Sequence, residues 1–211
     1  QAKQSARTAY RTQLLLETNQ LLQQEKTPEG IAEATARQLM KLLGKSVVFY
    51  GVKDDALTEP RIFSAGKEDE RLERLMTDNE KAVAQWAFRN NKHAGATTNT
   101  LGSAQGLYLA VRGSDGVYGV MGIALQGGSL DAFENNLVLS MLSECALALE
   151  RDLFSRKREE AAMQAKNEQL RANLLRSISH DLRTPLTSIS GNASNLLSNG
   201  KLFDEETKER M

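Results

Sequence analysis

From Asp131 to Thr184 the chain contains neither Gly nor Pro. Ala, Leu, Glu, Lys, Arg and Gln, the strong helix formers, fill the interval. The run predicts one very long helix, capped at its start by Asp131. Phe133, Leu137, Met141, Cys145 and Ala148 recur at helical spacing along its first part. That face is expected to cover a sheet or to pair with the N-terminal helix of a second copy. The middle, Arg151 to Gln169, is strongly charged through Arg151, Asp152, Arg156, Lys157, Arg158, Glu159 and Glu160. Two readings stand open for it: a solvated single helix, or a weak, easily re-registered two-stranded coiled coil with Met163, Leu170 and Leu174 on its seam.

The last part of the run carries a second stripe. Leu175, Ile178, Leu182, Leu186 and Ile189 follow one another at spacings of three and four and share one side of a helix. At about 100° per residue, His180 points roughly 160° away from that stripe. Thr184 stacks one turn above His180, and Asp181 and Arg183 flank the same polar face. Pro185 removes a backbone N–H and crowds the carbonyl of Asp181, so a bend after the histidine is expected. A lone outward His is by default a surface residue, and the chain has only two.

The contiguous run His180-Asp181-Leu182-Arg183-Thr184-Pro185-Leu186-Thr187 resembles the phospho-acceptor box of sensor histidine kinases. The chemistry agrees with that resemblance. A neutral imidazole is a competent nucleophile near neutral pH, its ordinary pKa being about 6.5. Asp181, adjacent in sequence, is placed to orient the ring and to act as general base during attack on the γ-phosphate of ATP. The resemblance further implies that Asp181 and Thr184 position a water when the reaction runs as dephosphorylation of the partner, with Pro185 as a structural hinge.

The 211 residues suffice for one ordinary domain with appendages. Formal net charge is zero and 40% of residues are hydrophobic, a globular composition without attraction for nucleic acid. The single cysteine, Cys145, has no partner in the chain for a disulfide, as suits a reducing compartment. No apolar run approaches the ~20 residues of a membrane span, and no signal peptide is expected within these residues. The first residue is Gln rather than Met, so the chain reads as a piece of something longer.

Residues 1–25 are polar and free of Gly and Pro, with Tyr10, Leu14, Leu15, Leu21 and Leu22 in a partial 3–4 repeat. They predict an incoming helix that either caps the next domain or pairs in a parallel dimer. Thr27-Pro28-Glu29 starts a helix that Gly44 closes. Strands are predicted over 46–52 and 61–65, with turns at Asp54-Asp55 and Glu59-Pro60 between them. No element is assigned to 67–76. Thr77-Asp78-Asn79-Glu80 has the form of a capping box opening a helix through Val83, Trp86, Ala87 and Phe88. Residues 91–105 read as a loop, and 106–112 and 117–125 as strands joined at Gly113-Ser114-Asp115-Gly116. Asn199-Gly200 stops the long helix, and Asp204-Glu205-Glu206 begins another.

Strands joined by hairpins, with helices before and after, predict an α+β fold with an antiparallel sheet. That order resembles a GAF domain. The segments Ala84-Gln85-Trp86-Ala87-Phe88-Arg89-Asn90-Asn91-Lys92-His93-Ala94-Gly95 and Thr98-Asn99-Thr100-Leu101 sharpen the resemblance to the KdpD family of sensor kinases, from about Leu14 to Met211. Gly102 departs from it, since the family usually has Pro there. The resemblance implies an incoming signal helix (1–25), a GAF-like sensor (26–148), a charged connector (149–170) and a partial dimerisation and phospho-acceptor domain (171–211), that is, a GAF-like sheet followed by a long signalling helix and a truncated helical hairpin. It also implies a homodimer in the cytoplasmic portion of a bacterial membrane protein, responding to potassium limitation or osmotic stress. An ATP-binding domain, with ATP and Mg, and the receiver domain of a response regulator are the implied partners. No cofactor or metal site is expected in these 211 residues. Trp86, Tyr50, Tyr108, Tyr118 and His93 are the residues that could touch an unknown small-molecule ligand; the aromatics are read as core and His93 as solvated, with 91–105 as the plausible rim. A ligand-binding GAF module with an inert box, and a structural dimer adaptor, are the rival readings.

Overall fold

The computed structural model describes residues 2–64, 66, 70–199 and 204–210. They form two compact units, residues 1–155 and 156–211. The division falls inside the stretch expected as a connector.

The first unit begins with α1 (Ala2–Gln24) and α2 (Pro28–Leu43), followed by β1 (Val47–Lys53), β2 (Ala56–Leu57) and β3 (Arg61–Phe63). Then come α3 (Glu70–Leu75), α4 (Asp78–Asn90), β4 (Ala94–Gly95), β5 (Gly106–Arg112), β6 (Val117–Ala124) and the start of α5 (Ala132–Asn199). The strands form one antiparallel sheet in the order β2-β1-β6-β5-β4, with β3 also paired to β1. Side chains alternate across it. Val47, Phe49, Leu107, Leu109, Val111, Met121 and Ile123 join one core cluster with α1, α2 and α5. Val48, Tyr50, Tyr108, Val120 and Ala124 join a second with Leu75, Val83, Ala84 and Ala87 of α3 and α4. With both faces covered, the central strands read as nearly unbroken apolar runs.

The predicted caps on α2 are present. The Thr27 hydroxyl accepts from the Gly30 N–H at 3.1 Å, and Gly44 at φ 62° returns its N–H to the Met40 carbonyl. Asp131 and Glu134 form a reciprocal capping box at the start of α5, each carboxylate accepting the other's backbone N–H (2.9 and 2.8 Å). Burial raises the pKa of the Cys145 thiol to about 11, in keeping with a core position on α5.

Several expectations need correction. In α1 the inward line is Leu14, Thr18 and Leu22; Tyr10 and Leu21 are exposed. Thr18 is fully buried because its hydroxyl donates to the Leu14 carbonyl at 2.7 Å, which removes the penalty of burying it. The turn at Asp54-Asp55 closes a two-residue hairpin, both residues in the left-handed region, which adds β2. Residues 91–105 are not all loop, since β4 pairs Ala94 with Tyr108 and Gly95 with Leu107. The unassigned 67–76 contains α3. The Thr77 box forms only by half: Thr77 accepts from Glu80 N–H, but the Glu80 carboxylate points elsewhere. The expected strand end at Ala65 lies outside the described residues.

The second unit contains the rest of α5 and α6 (Glu205–Arg210). The bend expected at Pro185 does not interrupt α5, which is helical to Asn199. The stop at Gly200 lies outside the described residues. Asp204 accepts from the Thr207 N–H at 2.8 Å and caps α6.

Candidate functional site

Helix geometry alone determines the surroundings of His180. The apolar stripe and the polar face lie on opposite sides of α5, and among the described residues of this unit nothing covers either. His180 and Asp181 have side chains 80% and 77% exposed. The imidazole Nδ1 lies 3.4 Å from Asp181 Oδ1, at the long end of a hydrogen bond. An acceptor there favours the tautomer with the proton on Nδ1, leaving Nε2 with a free lone pair. Thr184 is exposed one turn further on. At Pro185 the Asp181 carbonyl loses its ordinary helical donor. The stripe is open as well: Leu175, Ile178, Leu182, Leu186 and Ile189 are between 53% and 66% exposed. A groove on this side of the helix is lined by Ser179, Leu182, Arg183, Leu186, Thr187 and Ser190, among others, and does not include His180.

The candidate residues of the first unit fall into two groups. Tyr50 and Tyr108 are buried in the cluster under α3 and α4, their ring centroids 6.5 Å apart. Trp86 packs at the edge of that cluster. Tyr118 and His93 are only half-buried, so the core reading holds for Tyr50 and Tyr108 and is partial for Trp86 and Tyr118. Burial, then the charge of Arg112, lowers the His93 pKa.

Glu80 is the residue that sequence reasoning missed. It is 2% exposed, and its carboxylate accepts three bonds: from Gln105 N–H at 2.9 Å, Gly106 N–H at 3.1 Å and the Tyr108 hydroxyl at 2.8 Å. A buried carboxylate persists when its acceptor positions are filled in this way. Burial first, and then the bond to Glu80, hold the Tyr108 pKa far above the usual phenol value. Burial likewise pushes Tyr50 up to about 12, with Glu80 and Glu59 adding to it. The Tyr50 hydroxyl is buried without a hydrogen-bond partner. The Tyr108 ring fills the space beside Gly106 and Gly122: an added Cβ would come within 2.9 and 2.7 Å of it. Among the described residues no group of three His, Cys, Asp or Glu could hold a metal ion, and no helix is long and apolar enough to cross a membrane.

These two units define a class. Residues 170–210 match the His Kinase A (phospho-acceptor) domain. The first unit has the GAF fold: it is similar to the native GAF domain of the potassium sensor histidine kinase KdpD from Escherichia coli, with TM-score 0.54 and 20% identity over 72% of this chain and 99% of that one. Together they make the chain a GAF fold leading into a phospho-acceptor helix.

More narrowly, the chain is similar to the KdpD sensor proteins. It is 33% identical over its whole length to the sensor protein KdpD of Clostridium acetobutylicum, of which it covers 23%. It is 28% identical over 92% of its length to the sensor protein KdpD of Escherichia coli K12, of which it covers 21%. The chain therefore spans less than a quarter of the curated relatives it matches.

Proposed function

We propose that His180 is the phospho-acceptor of a KdpD-type sensor kinase answering potassium limitation or osmotic stress. The observation that carries this reading is the His180–Asp181 pair, an open imidazole whose Nδ1 faces a carboxylate at 3.4 Å. Nε2 attacks the γ-phosphorus of ATP, which a separate nucleotide-binding domain presents together with Mg. The N–P bond forms as the bond to the β,γ-bridging oxygen breaks, and ADP leaves. The Nδ1 proton is shared with Asp181, which balances the developing imidazolium charge. The phosphoryl group then passes to an Asp of a response-regulator receiver domain. Thr184 positions the water of the reverse, phosphatase reaction, and Pro185 is the hinge of the helix.

The test is His180→Gln in the full-length kinase and in this chain. Phosphoryl acceptance from labelled ATP should vanish, while the melting temperature of the chain stays within about 1 °C, as for an exposed substitution. Retained labelling would overturn the assignment. Thr184→Ala should spare autophosphorylation and slow dephosphorylation of the regulator; equal loss of both would remove the role assigned to it.

The working unit is a homodimer. Leaving Leu175, Ile178, Leu182, Leu186 and Ile189 in water forgoes on the order of 1.5–3 kcal/mol each relative to burial, and a second copy covers them in a bundle of helical hairpins. Sedimentation of the chain as a monomer at about 50 µM, a range set by weak-interface affinities, would refute self-association.

A second reading, a small-molecule GAF sensor, is favoured by the unpartnered Tyr50 hydroxyl and by Thr97 and Leu101, which sit at φ 64° and 57° in the 91–105 segment. Native mass spectrometry of the purified chain would reveal a retained ligand.

A further inference from the structure

Strand β5 joins two carboxylates. At its start, Gly106 N–H donates to the buried Glu80. Beyond its end, the turn to β6 meets a second carboxylate, Glu150 on α5, which accepts at Oε1 from Ser114 N–H at 3.1 Å, from the Tyr118 hydroxyl at 3.2 Å and from the Ser114 hydroxyl. The strand between them has seven residues, roughly 23 Å at the usual rise, and is hydrogen-bonded to β6 along its length. A register shift at Val111/Arg112 precedes the turn, the kind of irregularity that re-aims a hairpin tip. The tip is closed by two contacts. Gly113 N–H bonds to the Gly116 carbonyl, and the Tyr118 ring lies so close over Gly113 that an added Cβ would stand 2.0 Å from it.

Glu150 is also placed where α5 meets the incoming helix. The next residue, Arg151, donates to the Leu22 carbonyl near the end of α1 at 3.1 Å. Two turns earlier Glu144 accepts from Asn19 at 2.8 Å. Successive residues on a helix face about 100° apart, so Glu150 and Arg151 tie the same turn of α5 to the sheet on one side and to α1 on the other. Leu149, just before them, is buried; from Phe154 to Gly191 every residue is exposed.

We propose that Glu150 is the positioning residue through which the interior of the GAF fold acts on α5: a change at Glu80 and Tyr108 moves β5, and the Ser114/Tyr118–Glu150 contact delivers that movement to the helix that carries His180. The inference rests on the kinase reading for its purpose but not for its test. The Ser114 hydroxyl, followed by the Ser114 N–H and the Tyr118 hydroxyl, lowers the Glu150 pKa, so the contact is held by an ionised carboxylate at neutral pH.

The experiment is hydrogen–deuterium exchange on the 211-residue chain in four forms: unsubstituted, Glu80→Gln, Glu150→Gln, and both. Glu150→Gln should speed exchange several-fold in both 113–118 and 146–156 and leave α2 unchanged. Glu80→Gln should speed exchange in 104–118 and, through Glu150, in 146–156. In the double variant the second of these effects should be absent, so that 146–156 matches Glu150→Gln alone. Additive effects at 146–156, or no effect of Glu80→Gln there, would overturn the proposal. If Glu80→Gln does not fold, Tyr108→Phe, which removes one donor from Glu80, takes its place with the same expectations. In the full-length kinase, Glu150→Gln should retain basal labelling of His180 but lose its dependence on the stimulus; a normal stimulus response would overturn the proposal. Failure of the unsubstituted kinase to label His180 would defeat the kinase reading alone, and the exchange result would still decide the role of Glu150.

Discussion

Helix α5 carries two apolar stripes of similar make-up, and they have opposite surroundings. Along the first, Leu137, Met141 and Cys145 are fully buried against the sheet. Along the second, Leu175, Leu182 and Ile189 are 66%, 55% and 63% exposed. Spacing and composition are nearly the same in both, so periodicity establishes that a helix face is to be covered, not what covers it. The first stripe finds its cover within the chain, in a sheet formed by strands that hairpins bring together. The second belongs to a helix whose cover, on the reading above, comes from other helices. On that reading, stability and assembly fall to different parts of one continuous element.

The largest effect that could break this contrast is a charge placed in each stripe. Leu137→Asp buries an unpaired carboxylate and opens a gap, and should cost more than about 4 kcal/mol, enough to abolish the cooperative thermal transition followed by circular dichroism. Leu182→Asp should leave that transition where it was while eliminating self-association in sedimentation. A matching loss of stability for Leu182→Asp would show the second stripe to be core as well.

A smaller effect is expected at Glu80. Removing its carboxylate by Glu80→Ala leaves two amides and a phenol without their acceptor, at about 1–3 kcal/mol for each group that water does not reach. The urea midpoint should fall accordingly, and Glu80→Gln, which keeps an acceptor oxygen, should fall less. An unchanged midpoint for Glu80→Ala would show that the carboxylate is dispensable for folding.

The smallest effect is one of pH. The Tyr50 pKa is raised to about 12 and that of Tyr108 is raised further, in both cases with burial as the first cause. Phenols whose folded pKa exceeds the unfolded value of about 10 add stability that is fully present below pH 10. That stability is lost as pH rises through the folded value. Chemical denaturation between pH 9 and 12 should therefore show stability falling above about pH 10, and Tyr50→Phe should reduce the slope. A flat profile in the unsubstituted chain would contradict the buried setting of these rings.

Much of this architecture was legible in the residues. Thr27-Pro28, Gly44 and Gly113 to Gly116 act through local backbone chemistry, so their caps and turn stand where the residues place them. The outward placement of His180 and its neighbours was legible because one helix determines the geometry of all of them. Glu80 was not. It lies in the pattern of a capping box, and only the return of β5, 25 positions later, offers it the amides of Gln105 and Gly106. Thr18 escaped for a similar reason, since a polar residue in an apolar line is silent until its hydroxyl is seen to bond its own helix. β2 and β4 have two residues each, too few for any alternation to register.

The fit of the Tyr108 ring against glycine has a consequence for how such a domain can change over time. Gly122→Ala would place its methyl 2.7 Å from the ring and Gly106→Ala at 2.9 Å, so either one displaces the ring. The ring must shift or shrink before either glycine can grow, and in this packed interior shrinking is the change that makes room. That first step empties a ring-sized space and deprives Glu80 of its phenol, so it carries the full penalty of a large-to-small core substitution, about 3–5 kcal/mol. A mutational path that opens this interior through Tyr108 therefore begins with a costly step.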